Sequence, residues 1–315
     1  MQSVLFLLFA ALLLILFSGG YTFMVACRRV RQINCLDEEE LNRTPYGMLY
    51  EYIVAADQWI KGHQTQDVFI KSSDNLRLHA LWIPAERPRA TVVLVHGYRS
   101  TYLLDFAMML NFYHQQGFNI LLPDQRSHGL SEGKYITFGV KESQDMQAWV
   151  SFHNENLWSG PVLLSGMSMG ASTVLFTANE QLPDNVMGII ADCGFSSPKE
   201  IIQKVFKDLT HLPAGPCMWA ADLFARILAG FSFYAKDTRR CLARSRVPVL
   251  LIHGMDDDFV PCCMTEAAFI ACSSEKQILT VAQAGHGASF YFDPHGYAAA
   301  VTYFITMHLD HKIQE

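Results

Sequence analysis

Basic residues are missing as a group. Apart from "RRVR" at 28–31 there is no Lys/Arg-rich patch, and the 315-residue chain carries a formal net charge of −6. A nucleic-acid partner is thereby excluded, because phosphate binding needs a clustered basic footprint. No repeat period occurs, which excludes a solenoid. No long Pro/Ser/Gly linker divides the chain, so one large domain behind an N-terminal segment is expected. No Cys-x-x-Cys occurs, and no structural zinc site is expected. The eight cysteines form no paired framework. Two are adjacent, and the seven beyond residue 27 are an odd number, which fits reduced thiols.

Charge is also absent from Val4 to Ala26, a run of 23 residues. As a helix this run measures roughly 34 Å, enough for a hydrocarbon core of ~30 Å. A cleaved signal peptide has a basic start and a shorter apolar core. A buried helix of a soluble protein is rarely apolar all round. Residues 1–27 therefore read as a single-pass membrane anchor. Arg28, Arg29 and Arg31 follow it and no basic side chain precedes it. The positive-inside tendency then puts the remainder in the cytoplasm.

Residues 28–65 read as a helical linker. Tyr46, Leu49, Tyr50, Ile53 and Val54 fall on one helical face, and Asp37 with Glu40 forms a capping-box pattern. "QDVFIK" and "LRLHALWIPA" alternate around the turn "SSDN" at 72–75, as an antiparallel hairpin does. The pattern then changes. "ATVVLVHG", "FNILLPD", "GPVLLSG", "MGIIADC" and "VPVLLIHG" are short continuous apolar runs separated by helical stretches. Such runs belong to a parallel sheet buried on both faces. The expected fold class is α/β, a mostly parallel doubly wound sheet over residues 66–315. "KQILTV" supplies a last strand and 291–311 a last helix. About 196–245 break the rhythm with helical, aromatic-rich sequence, too long for a loop, and read as an inserted cap.

Functional residues of an open parallel sheet sit beyond the carboxyl ends of its strands. Ser168 lies there, in "GMSMGA", between an apolar run and a helix. Gly166 and Gly170 leave room for a sharp strand-to-helix turn that would hold the serine hydroxyl exposed. A hydroxyl needs a base. His286, in "AGHG" after the last strand, is placed to supply it. The base needs an orienting carboxylate, and Asp256, Asp257 and Asp258 follow "VPVLLIHG". The run lacks the spaced ligands and closing Glu of an EF-hand. His96 and His253 end strands and are expected to be structural. His153, in a helical context, is expected at the surface.

From about Gln66 onward these separated motifs resemble the α/β-hydrolase superfamily, in the form of bacterial esterase/lipase or serine-aminopeptidase-like (S33-type) serine hydrolases. The resemblance implies a nucleophile at Ser168 and a base at His286. It also implies an acid at Asp257, the fifth position of "HGMDDDFVP". The implied oxyanion hole is the backbone N–H groups of Met169 and of Tyr98, which follows "HG" at 96–97. "DQRSHGLSEG" resembles a family segment in which Ser127 stands where glycine is usual, and Asp124, Arg126 and His128 are expected to brace the loop near the nucleophile. No metal or organic cofactor is implied.

The expected activity is hydrolysis of carboxylic esters with apolar acyl groups, the acyl pocket drawing on the aromatic cap. Two alternatives stand beside it. An aminopeptidase would need carboxylates in the cap, where only Glu200, Asp208, Asp222 and Asp237 occur, well separated. A non-catalytic binding module on the same fold is the third reading.

Overall fold

The computed structural model describes residues 1–180 and 182–313. Helix α1 (Gln2–Cys27) leads into an extended stretch and three short helical pieces: α2 (Glu38–Asn42), a 3₁₀ turn at 47–49, and α3 (Tyr50–Lys61). The Asp37 carboxylate caps α2 by accepting from the Glu40 N–H.

Among the described residues eight strands follow: β1 (Gln66–Lys71), β2 (Arg77–Ile83), β3 (Ala90–Val95), β4 (Phe118–Pro123), β5 (Val162–Met167), β6 (Val186–Asp192), β7 (Val249–Gly254) and β8 (Lys276–Val281). They form one sheet in the order β1-β2-β4-β3-β5-β6-β7-β8. Only β2 runs against its neighbours; every pair from β4 through β8 is parallel. The apolar runs at 90–95, 118–123, 162–167, 186–192 and 249–254 are buried along their whole length. Crossover helices cover both faces of the sheet, which is why these strands carry no polar alternation.

Between β3 and β4 lie α4 (Tyr102–Phe106) and α5 (Leu110–Gln115), and between β4 and β5 lies α6 (Glu142–Phe152). Helix α7 (Met169–Phe176) follows β5. The insertion between β6 and β7 holds α8 (Pro198–Thr210), α9 (Gly215–Phe224) and α10 (Thr238–Leu242). Helices α11 (Cys262–Ala271), α12 (Ser289–Phe292) and α13 (Pro294–Ile313) are the last of the described elements.

Three apolar clusters result. One packs α3, α4, α5 and α13 on one face of the sheet, and a second packs α6, α7 and α11 on the other. The third joins Phe23 and Cys27 of α1 to Phe138, Phe195, Met218, Phe231 and Phe233. This third cluster departs from the sequence reading. The insertion packs against the membrane-type helix, and its aromatics build a core between the two. His153 also departs from expectation. It is fully buried, and its Nε2 shares a 2.8 Å hydrogen bond with the Thr91 hydroxyl. The helical context holds, but the position faces the sheet and not solvent. All eight cysteines are unpaired.

Candidate active site

The turn from β5 into α7 is tight. Ser168 has φ +55° and ψ −116°, outside the comfortable regions for an L-residue. The two glycines make the turn possible. A Cβ on Gly166 would lie 2.3 Å from the carbonyl of Gly170, and a Cβ on Gly170 would lie 1.8 Å from the Val95 carbonyl oxygen. Both obstacles are backbone, so no side chain can be accommodated by a rotamer change. Met169 opens α7, where first-turn N–H groups have no intrahelical partner.

The loops after β7 and β8 converge on this turn. The Ser168 hydroxyl lies 2.8 Å from His286 Nε2, and His286 Nδ1 lies 2.7 Å from Asp257 Oδ2. A carboxylate only accepts, so Nδ1–H donates to it and Nε2 is left to accept from the serine. The other oxygen of Asp257 is fixed independently, accepting from the N–H groups of Phe259 at 3.0 Å and Val260 at 2.8 Å. Burial alone would raise the Asp257 carboxyl, but hydrogen bonds from His253 and His286 outweigh it and hold it well below the usual range. It is therefore ionised throughout the neutral range. Asp256 is exposed, and Asp258 stands at the cavity rim. Of the three consecutive aspartates only Asp257 reaches the imidazole.

His253 is a neighbour that sequence reasoning assigned to structure alone. Its Nε2 lies 2.8 Å from the Val260 carbonyl and 3.2 Å from Asp257 Oδ2, behind the acid. Nothing in the sequence distinguishes it from any other histidine at a strand end.

The loop after β3 is braced from two sides. Gly97 N–H and the Ser100 hydroxyl both donate to the Asp105 carboxylate, at 2.6 and 2.5 Å. Arg99 N–H donates to His128 Nε2 at 3.0 Å, and burial pushes the His128 imidazole down to about 3, so it stays a neutral acceptor. His128 in turn belongs to the "DQRSHG" loop. There Asp124 accepts from the His79 ring, and Arg126 forks onto Asp145 at 2.7 Å. Ser127 has φ +66°, which explains why glycine is the natural residue at this point of such a loop.

The second brace is α1. The Tyr98 hydroxyl donates to the Ala26 carbonyl at 2.7 Å, and the Arg99 guanidinium donates to the Val25 carbonyl at 2.6 Å. The carboxyl end of the apolar helix is thus capped by the same loop that carries the Tyr98 N–H.

A cavity of about 730 Å³ opens over Ser168 and His286. Its walls are mainly apolar: Tyr46, Met48, Leu49 and Tyr52 from the linker, Met108 and Met109 near α5, and Phe259, Phe290 and Phe292. No residue of 196–245 lines it, so the expected contribution of the insertion to an acyl pocket is corrected. The linker covers the site instead. Its helical face was legible at Tyr46, Leu49 and Ile53, but periodicity tells which face is buried and not against what.

One cluster among the described residues could gather a cation. Ligand atoms of Cys193, Asp257 and His286 lie within 4.8 Å of one another. Burial holds the Cys193 thiol well up in its protonated range, and both His286 nitrogens are engaged. A metal would have to dismantle the Ser–His–Asp chain to bind.

Asp192, at the end of β6, is buried beside this group, and burial pushes its carboxyl up to about 6. An unfolded aspartate titrates near ~3.9. The unfolded chain therefore releases its proton first, and raising the pH through this window favours unfolding. Asp192→Asn keeps an acceptor for the Ser289 hydroxyl, 3.1 Å away. The variant is expected to gain Tm relative to wild type, and to gain more at about pH 8 than at about pH 4. Thermal melts at the two values check it.

Among solved structures, an esterase of Pyrococcus furiosus superposes with a TM-score of 0.63 at 23% identity, over 79% of this chain and 92% of its own. The α/β hydrolase GrgF from Penicillium gives 0.62 at 17% identity, over 78% and 99%. The chain shares the α/β-hydrolase fold of these proteins. The family model for serine aminopeptidase, S33, matches residues 86–215, the stretch from β3 through the elbow into the insertion. By sequence, the protein YqkD of Bacillus subtilis is 29% identical over 223 residues, 70% of this chain and 72% of its own length. YfhR of Escherichia coli K12 is 21% identical over 249 residues, 78% and 79%.

Proposed function

We propose that this α/β hydrolase is a membrane-anchored serine esterase that cleaves carboxylic esters with apolar acyl groups. The observation that carries the reading is the unbroken chain from Ser168 through His286 to Asp257 on the floor of an apolar cavity. His286 Nε2 takes the hydroxyl proton as Ser168 Oγ attacks the ester carbonyl. The N–H groups of Tyr98 and Met169 receive the oxyanion, each worth roughly 3 kcal/mol. His286 then protonates the departing alcohol, leaving an acyl group on Ser168. Water, deprotonated by the same imidazole, releases the acid and restores the hydroxyl.

The cavity walls support an acyl substrate, since methionine and aromatic side chains dominate them. Each CH₂ buried there is worth about 0.8 kcal/mol, about fourfold per methylene. For the full chain in nanodiscs, kcat/KM is expected to rise from acetyl to medium-chain esters. A flat or falling series would overturn the acyl preference.

The aminopeptidase reading draws support from the matched family model and from Asp258 on the cavity rim. The acidic residues of the insertion do not strengthen it. Asp208 pairs with Lys204, Asp222 with Arg226, and Glu200 and Asp237 with Arg239, and none of the four lines the cavity. Faster cleavage of aminoacyl amides than of esters, lost in Asp258→Asn, would favour it.

Helix α1 is the anchor in this reading. It is long and apolar enough to cross a membrane, and its carboxyl end is part of the folded body. The basic residues after it favour, by the positive-inside tendency, a cytoplasmic catalytic domain in this reading. Protease added to intact cells is expected to spare that domain.

A further inference from the structure

Helix α1 is covered by protein only over its last third. Phe23 and Cys27 are buried, whereas Val4 to Leu14 are exposed wherever their side chains are large. The apolar run begins at Val4, and the stretch from there to Phe17, in which Ile15 and Leu16 are partly covered, measures about 21 Å as helix. A hydrocarbon core of ~30 Å needs about six residues more. Those residues are Ser18 to Phe23, and they lie against α9. The Ser18 and Thr22 hydroxyls meet Cys217 Sγ at 3.4 and 3.2 Å. A Cβ on Gly19 would lie 2.3 Å from that of Ala220, so the two helices touch backbone to backbone. A span that uses these residues carries α9 to the depth of the hydrocarbon boundary.

The surface of the insertion suits that depth. Trp219, Leu223 and Ile227 recur every four residues, beside the stripe of Cys217, Ala220 and Phe224 that meets α1. Trp219 is 57% and Ile227 68% exposed. Leu212 and Leu228, before and after this stripe in the chain, are exposed as well. Across the 24 residues from Leu212 to Ala235 the only charges are Asp222 and Arg226, which pair with each other at 2.7 Å. An exposed apolar patch continuous with a membrane helix is stable when lipid covers it. Tryptophan at one end and a snorkelling arginine are the side chains such a boundary favours.

We propose that the β6–β7 insertion is seated in the lipid bilayer through Leu212, Trp219, Leu223, Ile227 and Leu228, forming one membrane-embedded unit with α1. The inference rests on the reading of α1 as a membrane span. It gives the insertion a role other than that of a lid: it holds the domain in a fixed pose on the membrane. The Tyr98 and Arg99 contacts to the end of α1 then refer the loop over the active site to the same frame.

The test uses the full chain in nanodiscs of phosphatidylcholine and phosphatidylglycerol. The background is Cys262→Ser with Cys263→Ser, since these are the two cysteines that are not buried. Single nitroxide labels are placed through Leu13→Cys in α1, Ile227→Cys in the insertion and Lys71→Cys on the exposed β1 edge. Collision with oxygen, which partitions into lipid, is compared with collision with a water-soluble nickel chelate. Positions 13 and 227 are both expected to favour oxygen, and position 71 to favour nickel. Brominated acyl chains are expected to quench a part of the fluorescence that Trp219→Phe removes. If 13 favours oxygen while 227 matches 71, the insertion stays in water and the proposal falls while the anchor stands. If 13 and 227 both favour nickel, the anchor reading falls too. A label at 227 shielded from both reagents marks a protein contact, such as a second copy, and also overturns the proposal.

Discussion

Ser168→Ala is expected to lower kcat for esters by about 10⁶-fold, the loss typical when the nucleophile of such a chain is removed. Covalent labelling by a fluorophosphonate should vanish with it. The effect is large because nothing near the site can substitute. The Ser168 hydroxyl is the group hydrogen-bonded to His286 Nε2, and the Cys193 thiol is fully buried and held protonated. Activity above the uncatalysed rate should survive, since oxyanion donors and substrate binding alone retain about 10³–10⁴-fold. An unchanged Tm excludes unfolding as the cause. Labelling that persists in the variant, at another serine, would overturn the nucleophile assignment.

Asp257→Asn is expected to cost about 10⁴ in kcat, as the same exchange does in a known triad. The local geometry says why it is not conservative. One oxygen of Asp257 accepts from the N–H groups of Phe259 and Val260, and an asparagine would keep its carbonyl oxygen there. Its amide nitrogen then falls where Oδ2 now sits, 2.7 Å from His286 Nδ1. An N–H pointing at Nδ1 selects the tautomer with the proton on Nε2. That nitrogen can no longer accept from Ser168, and the charge that stabilises the imidazolium is lost as well. Asp256→Asn and Asp258→Asn touch neither relation and are expected to stay within about tenfold of wild type for esters. Steady-state kcat for the three single variants checks this. A collapse at 256 or 258 with 257 intact would move the acid to that residue.

Much of the fold was legible because its signals are local. Five continuous apolar runs separated by helices imply a doubly covered parallel sheet, and each became a central strand. Gly166-x-Ser168-x-Gly170 marks a turn in which glycine is required by backbone at 1.8–2.3 Å, and such a requirement is written in sequence. The positions of Ser168 and His286 at strand ends follow from the topology of any open parallel sheet. Choosing among Asp256, Asp257 and Asp258 was harder. Three identical side chains in one turn differ only in direction, and direction is set by the Phe259 and Val260 N–H groups that clamp the middle one.

By itself, then, the sequence determined the sheet, the elbow, the strand-end positions of serine and histidine, and one helix long and apolar enough for a membrane. Each of these is fixed by periodicity or by residue-specific backbone geometry within a few positions along the chain. Only the tertiary structure decided which surfaces meet. It set the linker, not the insertion, over the cavity, and it put the aromatics of the insertion against Phe23 and Cys27. It also tied the Tyr98–Arg99 loop to carbonyls some 70 residues earlier in the chain. Apolar side chains of either segment would satisfy either surface by composition alone, because burial free energy is non-directional. The choice between partners is made by shape and by long-range hydrogen bonds, and neither leaves a trace in local pattern.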